Sequence, residues 1–506
     1  MLRRARRKCK RDLRTNGFSD VVRYPGSLQT EKPTTGRQVI RTAAAGRALA
    51  AIVRTSTFLG VLFDACRHMR IPRNILVGQF VLLLVLGTPA FAQEQTYSPV
   101  GPDASPRIAA LRKQMESGKS TAVAQFWEQV SKSGAPLIEP IPDDKHDSLV
   151  TFLWHGNSET RNVVIFDGVA GFDAKDRMIQ LDDTGVWFRT YKVRNDARFA
   201  YNISPNDTLQ SVNDIKGDDA MRDRLAMFQI DPLNPHRCPT TFGDHAAESS
   251  YVELPGAPPL VWNAPPAEAA KGKVESASIQ SAILKDEKKL WIYTPKDFSK
   301  SGDRYPLLVL FDGDRNVMWM PGILDNLIAS GKIPPMVAVL VDDSVRAARN
   351  IELPCNPAFA DFLAKELAPW SREKYHTTLE AVQTTVAGSS YGGLAAVFAA
   401  LRHPEVFGRV LSLSGSLWWK PPDEKEPEWL TKQVAAAPKL PLRFYLEVGL
   451  MESYAMQIDA SRRMRDTLRG KGYVIGYSEY DGGHAFLNWS GGMANGLLFF
   501  ARSTDK

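Results

Sequence analysis

The sequence predicts two folded domains: an all-β sandwich, then an α/β domain whose mostly parallel sheet is flanked by helices. Three observations predict it. Short β-prone runs, punctuated by Gly, Asn, Asp and Pro, fill residues 126–265, the pattern of a sandwich. A proline-rich stretch then marks a boundary (Pro255, Pro258, Pro259, Pro265, Pro266). Across 275–506, apolar strand-like runs alternate with helical ones, which requires a parallel sheet covered on both faces.

The front of the chain differs from the rest. Of 63 Lys and Arg residues, 17 lie in residues 1–92, against 4 Asp and Glu. The remainder carries 46 basic and 52 acidic residues, so the net charge of +7 gives no support to a nucleic-acid partner. Residues 69–92 read as a secretory signal. Met69-Arg-Ile-Pro-Arg73 is its basic start, 75–86 its apolar stretch and Ala90-Phe91-Ala92 its cleavage motif. The expected location is the periplasm, with the cytoplasm as the alternative, and no stable membrane insertion follows cleavage. Residues 1–68 lack regular periodicity and are expected to be an untranslated or disordered extension. Cys9 and Cys66 precede the cleavage site. Cys238 and Cys355 follow it, either as a disulfide or as two buried thiols.

Residues 93–125 read as a linker into an amphipathic helix, with Ile108, Leu111 and Met115 at helical spacing. In the sandwich, strands are expected at 149–154, 162–166, 184–190 and 197–203. Trp187, Phe199 and Tyr201 belong to its core. In the second domain, strands are expected at 289–293, 306–311, 336–341, 382–387, 408–413, 442–447 and 473–480. Helices are expected near 320–330, 358–370, 392–402, 455–469 and 490–502. In such sheets ligands bind beyond the carboxyl ends of the strands.

Every candidate for chemistry falls at such an end. The run at 382–387 leads into Gly388-Ser389-Ser390-Tyr391-Gly392, and an alanine-rich helix follows. Strand, sharp turn and helix are the context of the G-x-S-x-G nucleophile elbow of α/β hydrolases, which exposes Ser390 at the apex. A serine hydroxyl needs a base, and the base needs an orienting acid. After Ser390 only His403 and His484 remain. His403 precedes Pro404 at the far end of the elbow helix and points away. His484, in the loop Asp481-Gly-Gly-His-Ala485, stands where the chain order Ser, acid, His puts the base. Glu452, just past the strand at 442–447, is the candidate acid. Glu447, inside that strand, is the weaker candidate, and Asp459 reads as a solvated face. Two oxyanion donors are needed. The Tyr391 N–H is one. The other comes from Asp312-Gly313-Asp314, through the amide of Gly313 or Asp314.

These stretches resemble the enterochelin (enterobactin) esterase family over residues 130–502. The resemblance rests on Val386-Ala-Gly-Ser-Ser-Tyr-Gly-Gly-Leu394, Leu413-Ser-Gly-Ser-Leu-Trp-Trp419, Arg349-Asn-Ile-Glu-Leu-Pro-Cys-Asn356, Leu310-Phe-Asp-Gly313 and Asp481-Gly-Gly-His484. In the sandwich, Thr184-Gly-Val-Trp-Phe-Arg-Thr190 and Asp231-Pro-Leu-Asn-Pro235 carry it. It implies an α/β-hydrolase domain behind a sandwich, and a carboxylic-ester hydrolase for the trilactone of ferric catecholate siderophores. It also implies Ser390 as nucleophile, His484 as base, and an acid at Glu452 unless the site works as a Ser–His dyad. No cofactor is implied, since iron enters only within the substrate. Such a trianion calls for cations and flat faces: Arg349 first, then Trp418 and Trp419, one lining the pocket and one packed in the core, with Arg346 a weaker cation. The chain departs from the family in its export signal, because typical two-domain members are cytoplasmic, and in a longer loop from Gly313 to Trp319. Two other readings stay open: an esterase for feruloyl or acetyl-glycan esters with a sugar-binding sandwich, and a non-catalytic siderophore-binding protein.

Overall fold

The computed structural model describes residues 97–171, 176–215, 218–239 and 248–502. The expectations for residues 1–68 and 69–92 lie outside this range. Two helices open the described chain, α1 (Pro106–Glu116) and α2 (Ala122–Ser133). They cover one face of an antiparallel four-stranded sheet ordered β1 (Leu137–Ile141), β2 (Asp144–His155), β5 (Val186–Arg194) and β4 (Ile179–Gln180). A second four-stranded sheet is ordered β3 (Val163–Phe166), β6 (Arg198–Pro205), β8 (Glu248–Glu253) and β7 (Arg237–Pro239).

The sequence of β2 explains the layering. Successive strand residues point to opposite faces. Val150 and Phe152 enter a core shared with Ile165, Trp187, Phe199 and Tyr201, between the two sheets. Leu153 joins Ile108, Leu111, Phe126 and Val130 beneath the helices. Both faces of β2 are covered, so its apolar run is continuous rather than alternating. α2 falls partly within residues 126–265, the span expected to be the sandwich domain. Its apolar residues Phe126 and Val130 recur every four positions and are buried on one face.

The second domain is built on an eight-stranded sheet ordered β16-β15-β14-β13-β11-β12-β10-β9. Its strands are β9 (Lys273–Ser281), β10 (Asp286–Thr294), β11 (Leu307–Leu310), β12 (Val337–Val341), β13 (Thr384–Ser389), β14 (Arg409–Leu413), β15 (Arg443–Gly449) and β16 (Val474–Tyr480). The six from β12 to β16 along the sheet pair in parallel, and the β9–β10 hairpin adds antiparallel to β12. The helices between them are α4 (Gly313–Asn316), α5 (Met320–Ala329), α6 (Arg346–Glu352), α7 (Pro357–Phe362), α8 (Ala368–Tyr375), α9 (Tyr391–Arg402), α10 (Trp429–Ala436), α11 (Asp459–Gly470) and α12 (Phe486–Arg502); α3 (Asp218–Leu225) belongs to the sandwich. Alternate residues of β11 feed the two faces, Val309 one core and Leu308 with Leu310 the other. Helices close both faces, as in an α/β hydrolase. No helix among the described residues is long and apolar enough to cross a membrane.

Cys238, on β7, and Cys355, after α6, are both buried and both free, so the disulfide alternative is removed. Burial pushes the Cys238 thiol up to about 12, which keeps it a thiol rather than a thiolate.

Candidate active site

Ser390 sits alone between β13 and α9, at φ 56° and ψ −123°. A non-glycine residue in this region is strained, and it persists only where its surroundings hold it. The surroundings are tight. A β-carbon on Gly388 would lie 2.5 Å from the Gly392 carbonyl carbon, and one on Gly393 would lie 2.7 Å from Ser412 Oγ. Glycine at both positions lets the strand and helix approach closely enough to make the bend. Hydrogen bonds then lace the bend to the end of β14. Ser390 N donates to the Leu413 carbonyl (3.0 Å), and Ser416 N donates to the Ser390 carbonyl (3.0 Å). Tyr391 is the first residue of α9, so its N–H lies at the positive end of that helix.

The same 413–416 turn reaches the acid. Ser414 Oγ donates to Glu452 Oε1 at 2.5 Å, and Gly449 N donates to the same oxygen at 3.0 Å. The other oxygen, Oε2, lies 2.6 Å from His484 Nδ1. The Glu452 side chain is 2 % exposed, so three donors fix it with almost no solvent competition. A carboxylate on Nδ1 places the imidazole proton there and leaves the Nε2 lone pair as the base. The ring's tilt is held by Trp489, edge-on at 4.7 Å between centroids, whose Nε1 donates to Ser414 Oγ at 3.0 Å. Ser414 therefore links the serine bend, the acid and the tryptophan that supports the base.

The remaining acids and bases sort as expected. His403 lies at the far end of α9, with Nε2 2.8 Å from Asp361 and Nδ1 2.9 Å from Glu405. Glu447 accepts from Tyr445 Oη at 2.8 Å inside the core, and burial pushes it up to about 7. Asp459 pairs with Arg463 one turn along α11.

On the other side of Ser390, Asp312 adopts a left-handed conformation (φ 53°, ψ 47°) and turns β11 into α4. A β-carbon on Gly313 would come within 2.7 Å of the Leu340 carbonyl carbon. The Gly313 and Asp314 amides thus open a short helix packed against β12, where a loop was expected. Arg349 differs from expectation. Its Nε and Nη2 donate to the two Asp312 carboxylate oxygens at 2.5 and 2.9 Å. Asp312 N in turn donates to Asp343 Oδ2 at 2.9 Å. The cation expected to await an anionic ligand is already neutralised in a bidentate pair, although its Cζ stays 6.0 Å from the centre of the Tyr391 ring. Burial, then the nearby Asp312 charge, holds the Asp343 carboxyl well above the usual carboxylate range. Arg349→Gln is expected to destabilise the protein by about 3 kcal/mol, because it leaves the buried Asp312 carboxylate without its charge partner; a urea titration checks it.

Trp418 and Trp419 part company. The Trp418 ring lies 6.4 Å from that of Tyr391, and its Nε1 donates to Gln457 Oε1 at 2.8 Å. Trp419 packs edge-on against Trp429 at 6.2 Å. The Arg346 side chain lies outside the described residues. Ser414, Trp489 and Gln457 were not anticipated; nothing in their spacing distinguishes them from structural residues.

Comparison with known proteins places both domains in known families. The Enterochelin esterase, N-terminal family model matches residues 149–263, and the Esterase family model matches residues 281–500. The chain is 32% identical over 395 residues to the iron(III) enterobactin esterase of Escherichia coli O6:H1, spanning 74% of this chain and 96% of that protein. It is 28% identical over 436 residues to that of Dickeya dadantii, spanning 79% and 96%. The crystal structure of the Shigella flexneri enterobactin esterase in the presence of enterobactin superposes with a TM-score of 0.61 at 30% identity, over 75% of this chain and 98% of that one. The chain is thus a two-domain carboxylic-ester hydrolase, and it belongs to the enterochelin esterase family.

Proposed function

We propose that this chain hydrolyses the trilactone esters of ferric enterobactin, with Ser390 as nucleophile, His484 as base and Glu452 as orienting acid. The observation that carries the residue assignment is the 2.6 Å contact between His484 Nδ1 and Glu452, tied through Ser414 to the strained serine bend. His484 Nε2 takes the Ser390 proton as Oγ attacks an ester carbonyl. The imidazolium that forms is stabilised by the Glu452 carboxylate. The Tyr391 N–H, with an amide of Gly313 or Asp314, faces the developing oxyanion. His484 then gives its proton to the leaving serine alcohol. Water, activated by the same imidazole, releases the 2,3-dihydroxybenzoyl-serine acyl group.

The Tyr391 and Trp418 rings offer flat faces for a catecholate. Arg349 acts mainly through Asp312, fixing the oxyanion side of the site. Iron enters as part of the substrate, and opening the ring weakens its chelation; the three side chains need no resident metal for this chemistry. The signal pattern at 69–92 supports action in the periplasm, on siderophore already imported across the outer membrane. N-terminal sequencing of the exported protein is expected to begin at Gln93.

Mass spectrometry of ferric enterobactin incubated with the purified protein tests the reaction. The expected products are the linear trimer, then dimer and monomer, one water added per ester cleaved. Intact siderophore alongside turnover of a feruloyl or acetylated glycan ester would overturn the proposal.

A further inference from the structure

The loop that carries His484 contains two adjacent glycines, and such a loop has more backbone freedom to lose than any other. What fixes it comes largely from the sandwich. Arg198 N, at the start of β6, donates to the Asp481 carbonyl at 2.9 Å. A β-carbon on Gly482 would lie 2.4 Å from the Arg198 carbonyl oxygen, and one on Gly483 would lie 3.4 Å from Asp167 Oδ1. The Asp481 carboxylate is 1 % exposed and turned toward the sandwich. Tyr97 Oη lies 2.6 Å from both of its oxygens, and Arg194, at the end of β5, forks onto Asp196 at 2.9 and 2.6 Å while its Nε also lies 2.9 Å from Asp481 Oδ2. Tyr97 is itself tied down, since Pro99 bridges to Tyr191 and Val100 N donates to the Thr190 carbonyl at 2.9 Å.

From the hydrolase side, Met451 N donates to the Gly482 carbonyl at 3.0 Å, and Asn488 Nδ2 donates to the Gly483 carbonyl at 3.1 Å. Met451 is the neighbour of Glu452. A shift of the loop therefore moves the imidazole and the backbone next to its acid together.

We propose that Tyr97, on the segment laid against the sandwich, and Arg194, at the end of β5, are positioning residues for catalysis: by holding Asp481 they set where His484 stands. The sandwich thus completes the catalytic geometry of the second domain in addition to any contact it makes with substrate. Burial pushes Asp481 up to about 6 against the pull of Tyr97 and Arg194, so at neutral pH the carboxylate depends on these partners. The inference rests on the serine-hydrolase reading, and its test must separate the two.

Full-length wild type, Tyr97→Phe, Arg194→Gln and Arg194→Lys are compared by two measurements at a temperature well below unfolding. One is kcat and KM on ferric enterobactin. The other is the rate of covalent labelling by a small fluorophosphonate, which reports Ser390 activated by His484 without a siderophore. Tyr97→Phe keeps the ring and removes only the hydroxyl. It is expected to lower kcat and the labelling rate together by roughly tenfold, since small misplacements of a catalytic group are costly, with KM unchanged. Arg194→Lys is expected to retain more activity than Arg194→Gln. Wild-type labelling and kcat in Tyr97→Phe and Arg194→Gln overturn the inference, as do losses that disappear on cooling. A wild-type protein that resists the phosphonate instead sinks the serine-hydrolase reading, and the inference with it.

Discussion

Ser390→Ala is expected to lower kcat on ferric enterobactin by roughly five orders of magnitude, and His484→Ala by about as much. The two groups perform one step: the hydroxyl attacks only as its proton leaves, and Nε2 takes that proton only from a hydroxyl held at the bend. The double variant is therefore expected to be no worse than either single one. What remains is the contribution of the oxyanion donors and of substrate positioning, which neither substitution touches. Ser390→Ala also relieves nothing at the backbone, because alanine meets the same penalty at φ 56°. Binding is expected to survive, so fluorescence quenching by the ferric siderophore should report a near-normal Kd while single-turnover hydrolysis is lost. Additive losses in the double variant would show that the two residues act separately, and the assignment of His484 as the base would fall.

Much of this site was legible before any coordinates, and the reason is local. The serine bend needs glycine at 388, where a β-carbon would meet the Gly392 backbone, and that steric need survives in the sequence as part of a motif. The order of serine, acid and histidine follows from a parallel sheet whose strand ends all face one way. Glu452 was singled out because it lies one short turn beyond β15, and it is found there with its oxygen on His484.

What escaped has a common cause: its meaning lies in contacts between distant segments. Arg349 read as an open cation, since nothing near it in sequence shows that Asp312, 37 residues earlier, takes both sides of its fork. Ser414 looked like any serine after a strand, but its hydroxyl is shared by Glu452 and Trp489. β9 was missed because it is an edge strand: its exposed face carries Val274, Ser276, Ser278 and Gln280, and Lys273 and Glu275 share the other face with Ala277 and Ile279, which blurs the alternation. Tyr97 and Arg194 drew no notice for the same reason, since Asp481 lies in the other domain.

Glu452→Gln is expected to cost roughly 10⁴-fold in kcat, and more than Glu452→Ala. The hydrogen-bond pattern around the side chain forces this order. Oε1 is held by the Gly449 N–H, a donor that accepts nothing, and by the Ser414 hydroxyl. In the glutamine variant the amide oxygen must keep that position, so the amide nitrogen is turned toward His484 Nδ1. Nδ1 then has to accept, the ring proton moves to Nε2, and the atom that should take the serine proton already carries one. Alanine removes the partner without imposing the wrong tautomer. Water entering the cavity lets a Ser–His pair work poorly, with a loss of roughly 10²–10³-fold. The sequence reading allowed for a dyad with a dispensable acid; the order of these two variants decides the matter. A glutamine variant within tenfold of wild type, measured across pH 6 to 9, would mean that Glu452 merely braces the turn at Ser414 and that His484 finds its working tautomer unaided.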